Sequence, residues 1–423
     1  MPLLTDVEAR IVHEKYKTEY GVSTVDYKEI RDDMVCAGVL RVENDDISFR
    51  QPYTFCYFVA RHLASRLNSG RDNDSVRSEI KALWADLYHE DTANVLVFLA
   101  HLTTSSVATD EMKQRASELF QWAFPTDFVT DTAQVSALCQ KPGVIVLPPG
   151  DPVSHKKQFH DEQDDAKADT DSRLAPRRGV ILKPQDRANE ENETRSMIVE
   201  IVTAMRAIDV LGQVLRNEAT ARKVDTQVEI ANEIFTLGRR LLGFLFATVN
   251  EHLEEMVRTL TRQYSAEAIA GKQVDPLKHK EKANWHIFSL YSLAAFSVIK
   301  RVAAAVRDPN LKEVFRRIVD EEPNLANRVY SLAINIDSVS ADTLLRQAEE
   351  LNDEVTGKSK KKGEQRSFNN FARTIIRAII ADYLYLNHVA QPVAQALCAK
   401  LDIRLPTAAH DPKPKGLPRK KRN

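Results

Sequence analysis

Glycine and cysteine are scarce in this sequence. Of 423 residues, 13 are glycine, which disfavours glycine-rich phosphate loops and β folds with many tight turns. The four cysteines lie far apart and form no C-x-x-C pair, which disfavours a disulfide scaffold or a zinc ribbon. They are Cys36, Cys56, Cys139 and Cys398. We therefore expect reduced thiols, as in a cytoplasmic protein.

The sequence also lacks an excess of either charge and any long hydrophobic run. Its 60 acidic and 59 basic residues leave a net charge of -1, so the whole molecule is not an electrostatic binder of nucleic acid. No uninterrupted apolar run approaches the roughly 18 residues that a membrane span requires. The first residues show neither the basic nor the apolar region of a secretory signal. These absences predict a cytoplasmic protein with no membrane partner.

Helical patterns dominate what is present, and they predict a mainly α-helical fold. Residues 1–52 are the exception, because two short helices precede two short strands there. The helices are predicted over Val7 to Tyr16 and Asp26 to Ala37, with Asp26 as the N-cap of the second. Val39 to Val42 and Ile47 to Arg50 would form a hairpin. This order predicts a winged-helix-like module at the N-terminal end.

The remaining chain divides by composition. Residues 53–147 are predicted to form a helical domain, because apolar side chains recur there at helical spacing. Residues 148–195 carry five prolines and an acidic block, which predicts a disordered linker. Residues 196–405 return to long helices, of which 226–262 has the longest apolar stripe. Residues 406–423 are predicted to be a disordered basic tail.

Catalytic and metal-binding patterns are missing from the sequence. Thr356-Gly357-Lys358-Ser359 resembles the end of a phosphate-binding loop, but Asn352 stands where that loop needs its first glycine. The preceding residues look helical rather than strand-forming. Histidines occur without the spacing of metal ligands. The sequence therefore predicts no catalytic, cofactor-binding or metal-binding residue, no cofactor and no enzyme activity; an enzyme of unrecognised type is the remaining alternative.

The C-terminal tail holds a cluster of basic side chains that could contact an anion or a nucleic acid. These are Lys413, Lys415, Arg419, Lys420, Lys421 and Arg422. No aromatic residue is interleaved to stack on bases. A tail that only improves solubility is the alternative interpretation.

Three segments resemble conserved segments of bacterial STAND-type, NACHT-like NTPases. The first joins the predicted hairpin to the next helix and contains Phe49, Arg50, Tyr53, Tyr57 and Phe58. The second runs from Ala93 to His101 and contains Asn94 and Phe98. The third runs from Leu211 to Asn217 and contains Gly212, Gln213 and Asn217. All three look like packing motifs, and we expect Tyr57 and Phe58 to be buried.

The resemblance implies a role in signalling. Members of this family are large ATPases with an effector, a nucleotide switch and a sensor, and several act in defence against phage. This chain has no P-loop, so it resembles the part from the winged helix onward. We expect a non-catalytic sensor part that binds a trigger or partner protein and couples it to a separate NTPase core. The alternative is a winged-helix regulator that binds nucleic acid with help from its basic tail.

Overall fold

The computed structural model describes residues 4–22, 24–44, 46–70, 73–103, 105–140, 143–158, 161, 193–269, 276–357 and 368–405. Most of these residues are helical, which confirms the predicted mainly α fold. Most of the predicted linker, 162–192, and all of the predicted basic tail, 406–423, lie outside the described residues.

Short strands and helices alternate only near the N-terminal end. From there the elements are β1 (Leu4–Thr5), α1 (Asp6–Tyr20), α2 (Tyr27–Cys36), β2 (Leu40–Glu43), β3 (Asp46–Phe49), α3 (Pro52–Ser69), α4 (Asn73–Ala85), α5 (Glu90–Leu102), α6 (Val107–Glu118), α7 (Ala133–Leu138), β4 (Ile145–Val146), α8 (152–158), α9 (Glu193–Asn217), α10 (Val224–Ile269), α11 (Pro276–Val306), a 3-10 turn (Pro309–Leu311), α12 (Lys312–Glu321), α13 (Leu325–Asn335), α14 (Ala341–Val355), α15 (Asn370–Leu386), α16 (Gln391–Leu401) and β5 (Ile403–Arg404).

Contacts between residues divide the chain into two compact units. The first comprises Met1–Asp127, Asp164–Glu251 and Ser297–Asn335, and the second comprises Phe128–Gln163, His252–Phe296 and Ile336–Asn423. Both units are discontinuous in sequence. The domain boundaries suggested by composition, at 52, 147, 195 and 405, stay predictions, and α8 lies at the start of the predicted linker.

The N-terminal module of the first unit has the predicted order of two helices and a hairpin. Its three strands form an antiparallel sheet in the order β1-β3-β2, with Ile47 of β3 opposite Leu4 and Val42. Asp26 caps α2 by accepting hydrogen bonds from the next backbone amides, which confirms its predicted role. Thr5 forms a capping box with Glu8 at the start of α1.

The core of the first unit is built around the N-terminal half of α10. Ile230, Ile234 and Leu237 are fully buried, and they recur at the spacing that predicted this helix. Phe235 stacks on Phe315 with ring centroids 6.1 Å apart, and it also packs on Tyr330. These contacts join α10 to α12 and α13.

The second unit combines α14, α15 and α16 with a two-stranded parallel sheet of β4 and β5. The buried Asn370 side chain donates to the carbonyl oxygen of Cys139 at 2.8 Å, which ties α15 to the end of α7. Arg377, which is 1% exposed, donates to the carbonyl oxygen of Asp402 at 2.7 Å. These bonds satisfy backbone acceptors that burial would otherwise leave unpaired.

One helix within the described ranges is long and apolar enough to cross a membrane by length and composition alone. It is α11, and half of its most apolar window is buried inside the protein. A buried core helix passes the same test, so the finding does not assign a location.

Candidate functional site

The junction between the N-terminal module and the helices carries a cluster of aromatic side chains. Phe49, at the end of β3, lies 5.7 Å from Phe55 and 5.8 Å from Phe58 between ring centroids. Pro52 occupies the first turn of α3, where its missing N–H costs no helical hydrogen bond. The chain therefore turns directly from the sheet into α3, and ring packing fixes the turn.

The exposure of this aromatic cluster differs from the prediction. Tyr57 is half-buried, whereas Phe58 is 37% exposed and Tyr53 is 59% exposed. The expectation that Phe58 is buried is therefore wrong. Buried residues of α3 follow from Cys56 and Ala60, and Phe58 lies about 200° around the helix from Cys56. Phe58 packs on neighbouring rings at the surface rather than in the core.

The second family-like segment, on α5, meets the first. Tyr57 and Phe98 pack edge to face, with centroids 5.9 Å apart and ring planes at 90°. The Cys56 thiol contacts the Asp91 carbonyl oxygen at 3.4 Å, and burial with the nearby Asp91 charge raises the pKa of this thiol to about 12. Asn94 is half-buried in the same helix. Together α3 and α5 form a tightly packed pair.

The third segment, on α9, connects to α5 through a polar contact. The Asn217 side-chain amide is hydrogen-bonded to Nε2 of His101. Gln213 is half-buried, and Gly212 is buried. The structure thus links all three family-like segments in one continuous run of contacts, from the aromatic cluster through α5 to α9.

Gly212 allows α9 to approach α11 closely. A Cβ at this position would lie 2.5 Å from the Ala305 carbonyl oxygen and 2.6 Å from its Cβ. Gly238 of α10 is similar, because a Cβ there would lie 2.8 Å from the Tyr330 hydroxyl. Both glycines are required by helix packing rather than by a ligand.

Two consecutive arginines follow Gly238 and are nearly buried. Arg239 donates to the Thr126 carbonyl oxygen at 2.9 Å and to a carboxylate oxygen of Glu322 at 2.7 Å. Arg240 is paired with Glu233, and burial raises the pKa of that carboxyl while Arg240 opposes the rise. Paired buried charges of this kind hold helices in a defined arrangement, and breaking one partner is costly.

A polar cluster orders the N-terminal module itself. Tyr27 donates to a carboxylate oxygen of Asp6 at 2.8 Å, and Arg31 donates to the same oxygen at 2.9 Å. These two hydrogen bonds, the one from Tyr27 first, hold the pKa of Asp6 below its ordinary value. The contacts join the start of α1 to α2.

The surface of this module exposes apolar side chains next to that cluster. Val7 is 68% exposed and Ile11 is 63% exposed, and they lie one turn apart on α1. Val7 and Val42 line a shallow groove together with Thr5, Asp6 and Arg31. Sequence analysis did not identify this surface, because the pattern of α1 does not show which face the module leaves uncovered.

The structure adds no catalytic group to those considered from sequence. Within the described ranges, no group of three or more histidine, cysteine, aspartate or glutamate side chains is placed to hold a metal. Asn352 is buried inside α14, and Thr356 and Gly357 end this helix. Lys358 and Ser359 lie outside the described residues, as do the basic residues of the tail.

Comparison with known families gives one match. Residues 3–59 match the family model described as Novel STAND NTPase 4. No curated protein matches the chain. No solved structure matches it either. The matched range includes Phe49, Arg50, Tyr53, Tyr57 and Phe58, so the aromatic junction lies inside it, whereas the segments on α5 and α9 lie outside. The match relates this N-terminal part of the chain to STAND NTPases.

Proposed function

We propose that this chain is a non-catalytic sensor part of a STAND-like signalling protein. It binds a trigger or partner protein and couples that event to a separate NTPase core, in the setting of defence against phage that the family resemblance implies. The observation that carries the proposal is the matched N-terminal module, whose junction packs continuously into the helices that follow.

The surface proposed for the NTPase core is the exposed apolar face of the module. Val7, Ile11 and Val42 give it a hydrophobic centre, and Arg31 adds charge at the groove. Exposed apolar residues beside a polar rim are typical of protein contact sites. The face also adjoins the Asp6 cluster, so binding there would act on the contacts between α1 and α2.

The segment that resembles a P-loop supports a non-catalytic role. A P-loop needs a strand followed by a glycine-rich turn whose amides wrap phosphate. Here the position of the first glycine is Asn352, which lies in the body of α14. We propose that nucleotide binds only to the partner core and that this chain has no ATPase activity of its own.

The nucleic-acid alternative has less support. Arg31 on α2 is engaged by Asp6 and Asp32, and α2 also carries Glu29 and Asp33. A recognition helix with more acidic than basic residues repels phosphates. We therefore restrict the proposal to a protein partner and treat binding through the basic tail as an outcome to test.

The experiment uses the complete chain and the NTPase core of a STAND protein encoded beside it. Calorimetry should detect binding to the core, and Val7→Asp with Ile11→Asp should abolish it. Val224→Asp is the matched control, because Val224 is 41% exposed at the start of α10, outside the module. Equal binding by both variants would reject the proposed surface, and binding of ATP by the chain alone would reject the non-catalytic role.

A further inference from the structure

The part of α11 in the second unit exposes large apolar side chains on one face. Trp285, Leu290 and Leu293 are 56%, 53% and 61% exposed. At about 100° per residue they span an arc of about 140°, and the buried Ile287 and Tyr291 lie on the opposite side. Three large exposed side chains within about two turns form a patch that water solvates poorly. We call this patch the α11 face.

Lysines and a second aromatic residue border the α11 face. Lys278 and Lys282 are exposed and fall on the same side of the helix as Trp285. The Lys282 ammonium lies 4.0 Å from the ring centroid of Tyr264, at the distance of a cation–π contact. Between residues 276 and 296 the sequence has three lysines and one acidic residue, Glu281. The border is therefore basic.

Tryptophan, tyrosine and lysine beside exposed leucines match the chemistry of a bilayer interface. Aromatic rings with a polar atom prefer the headgroup level, and lysine stems extend their charge to the phosphates. Helices that lie in this plane combine an apolar face with basic residues. The apolar composition of α11 fits the same interpretation, but half of its most apolar window is buried in the protein. The helix can therefore present one face to lipid without crossing it.

We propose that the α11 face binds the surface of a bilayer containing anionic lipids. The leucines and Trp285 enter the boundary between headgroups and acyl chains, and Lys278 and Lys282 contact anionic headgroups. This proposal goes beyond the proposed function, and it replaces the sequence-based expectation of no membrane partner. The basic border favours anionic lipid over an apolar protein surface, which would leave the lysines without partners.

The test is flotation of the complete chain with phosphatidylcholine vesicles, with and without one-third phosphatidylglycerol. We expect binding only to the anionic vesicles. Replacing Trp285, Leu290 and Leu293 together with glutamine should reduce the partition coefficient more than tenfold. Lys278→Gln should reduce it by about fivefold, the contribution of one lysine near an anionic surface. Trp122→Gln is the control, because Trp122 is 61% exposed on the first unit.

A second measurement does not depend on altering the α11 face. In a Trp122→Phe chain, brominated anionic lipid should quench Trp285, because the other tryptophan, Trp84, is 4% exposed. Absence of quenching would overturn the proposal. Equal partition into neutral and anionic vesicles would also overturn it. A fall in molar mass caused by the triple substitution would show instead that a second copy of the chain covers this face.

Discussion

Replacing Gly212 by alanine tests the helix packing that links the family-like segments. At an exposed helix position this change would stabilise the protein by about 1 kcal/mol, because alanine favours the helix more than glycine does. Here the new Cβ would lie 2.5 Å from the Ala305 carbonyl oxygen, so α9 and α11 must separate. Overpacking of this kind costs about 1–3 kcal/mol, and a backbone obstacle favours the upper end. We expect a net loss of about 2 kcal/mol.

The assay is urea unfolding followed by circular dichroism, which reports the loss of helix. Gly143→Ala is the matched control, since nothing lies within 4 Å of a Cβ built there, and we expect a change within about 0.5 kcal/mol. Adding Ala305→Gly to Gly212→Ala should restore only part of the stability, because the carbonyl oxygen remains. A Gly212→Ala chain as stable as the parent, or more stable, would refute the reasoning.

Three further predictions concern the junction, the thiols and the module. Phe58→Ala should cost about 1 kcal/mol, well below the 3–5 kcal/mol expected for the fully buried Phe235→Ala, and equal losses in urea unfolding would contradict the observed exposure. Ellman's reagent at pH 8 should react rapidly with Cys36 alone in the native chain and with four thiols after denaturation, because the other three cysteines are buried; rapid labelling of Cys56 would be inconsistent with its raised pKa. The pKa of Asp6 is lowered by its hydrogen bonds to Tyr27 and Arg31, so its contribution to stability is complete above the ordinary value of 3.8 and is lost as the pH falls through the lowered value. Asp6→Asn should remove this part of the acid dependence, as measured by unfolding between pH 2 and 5, and an unchanged profile would contradict it.

Much of the fold followed from periodicity. The stripe from Ile230 to Leu260 predicted α10, and it forms from Val224 to Ile269. The polar turn between two β-rich runs predicted the hairpin, and Asp26 marked the start of α2. These signals are local, since helical spacing, caps and turns involve residues close in sequence.

The exposure of particular side chains could not be predicted in the same way. An aromatic run suggests burial, but Phe58 lies on the side of α3 opposite its core-facing residues. The exposed Val7 and Ile11 are equally invisible, because which face of a helix is covered depends on neighbours distant in sequence. The requirement for Gly212 depends likewise on Ala305 in another helix. Tertiary contacts decide each of these features.

The central claim is that this chain couples a partner to a separate NTPase core, and a comparison of affinities tests it most directly. The affinity of the complete chain for the adjacent core should be measured by calorimetry with the core loaded with ADP and then with ATP and Mg²⁺. Coupling between sites of 1–3 kcal/mol predicts that the two affinities differ by about 5–150-fold. Binding that is equal in both states, or absent in both, would contradict the account.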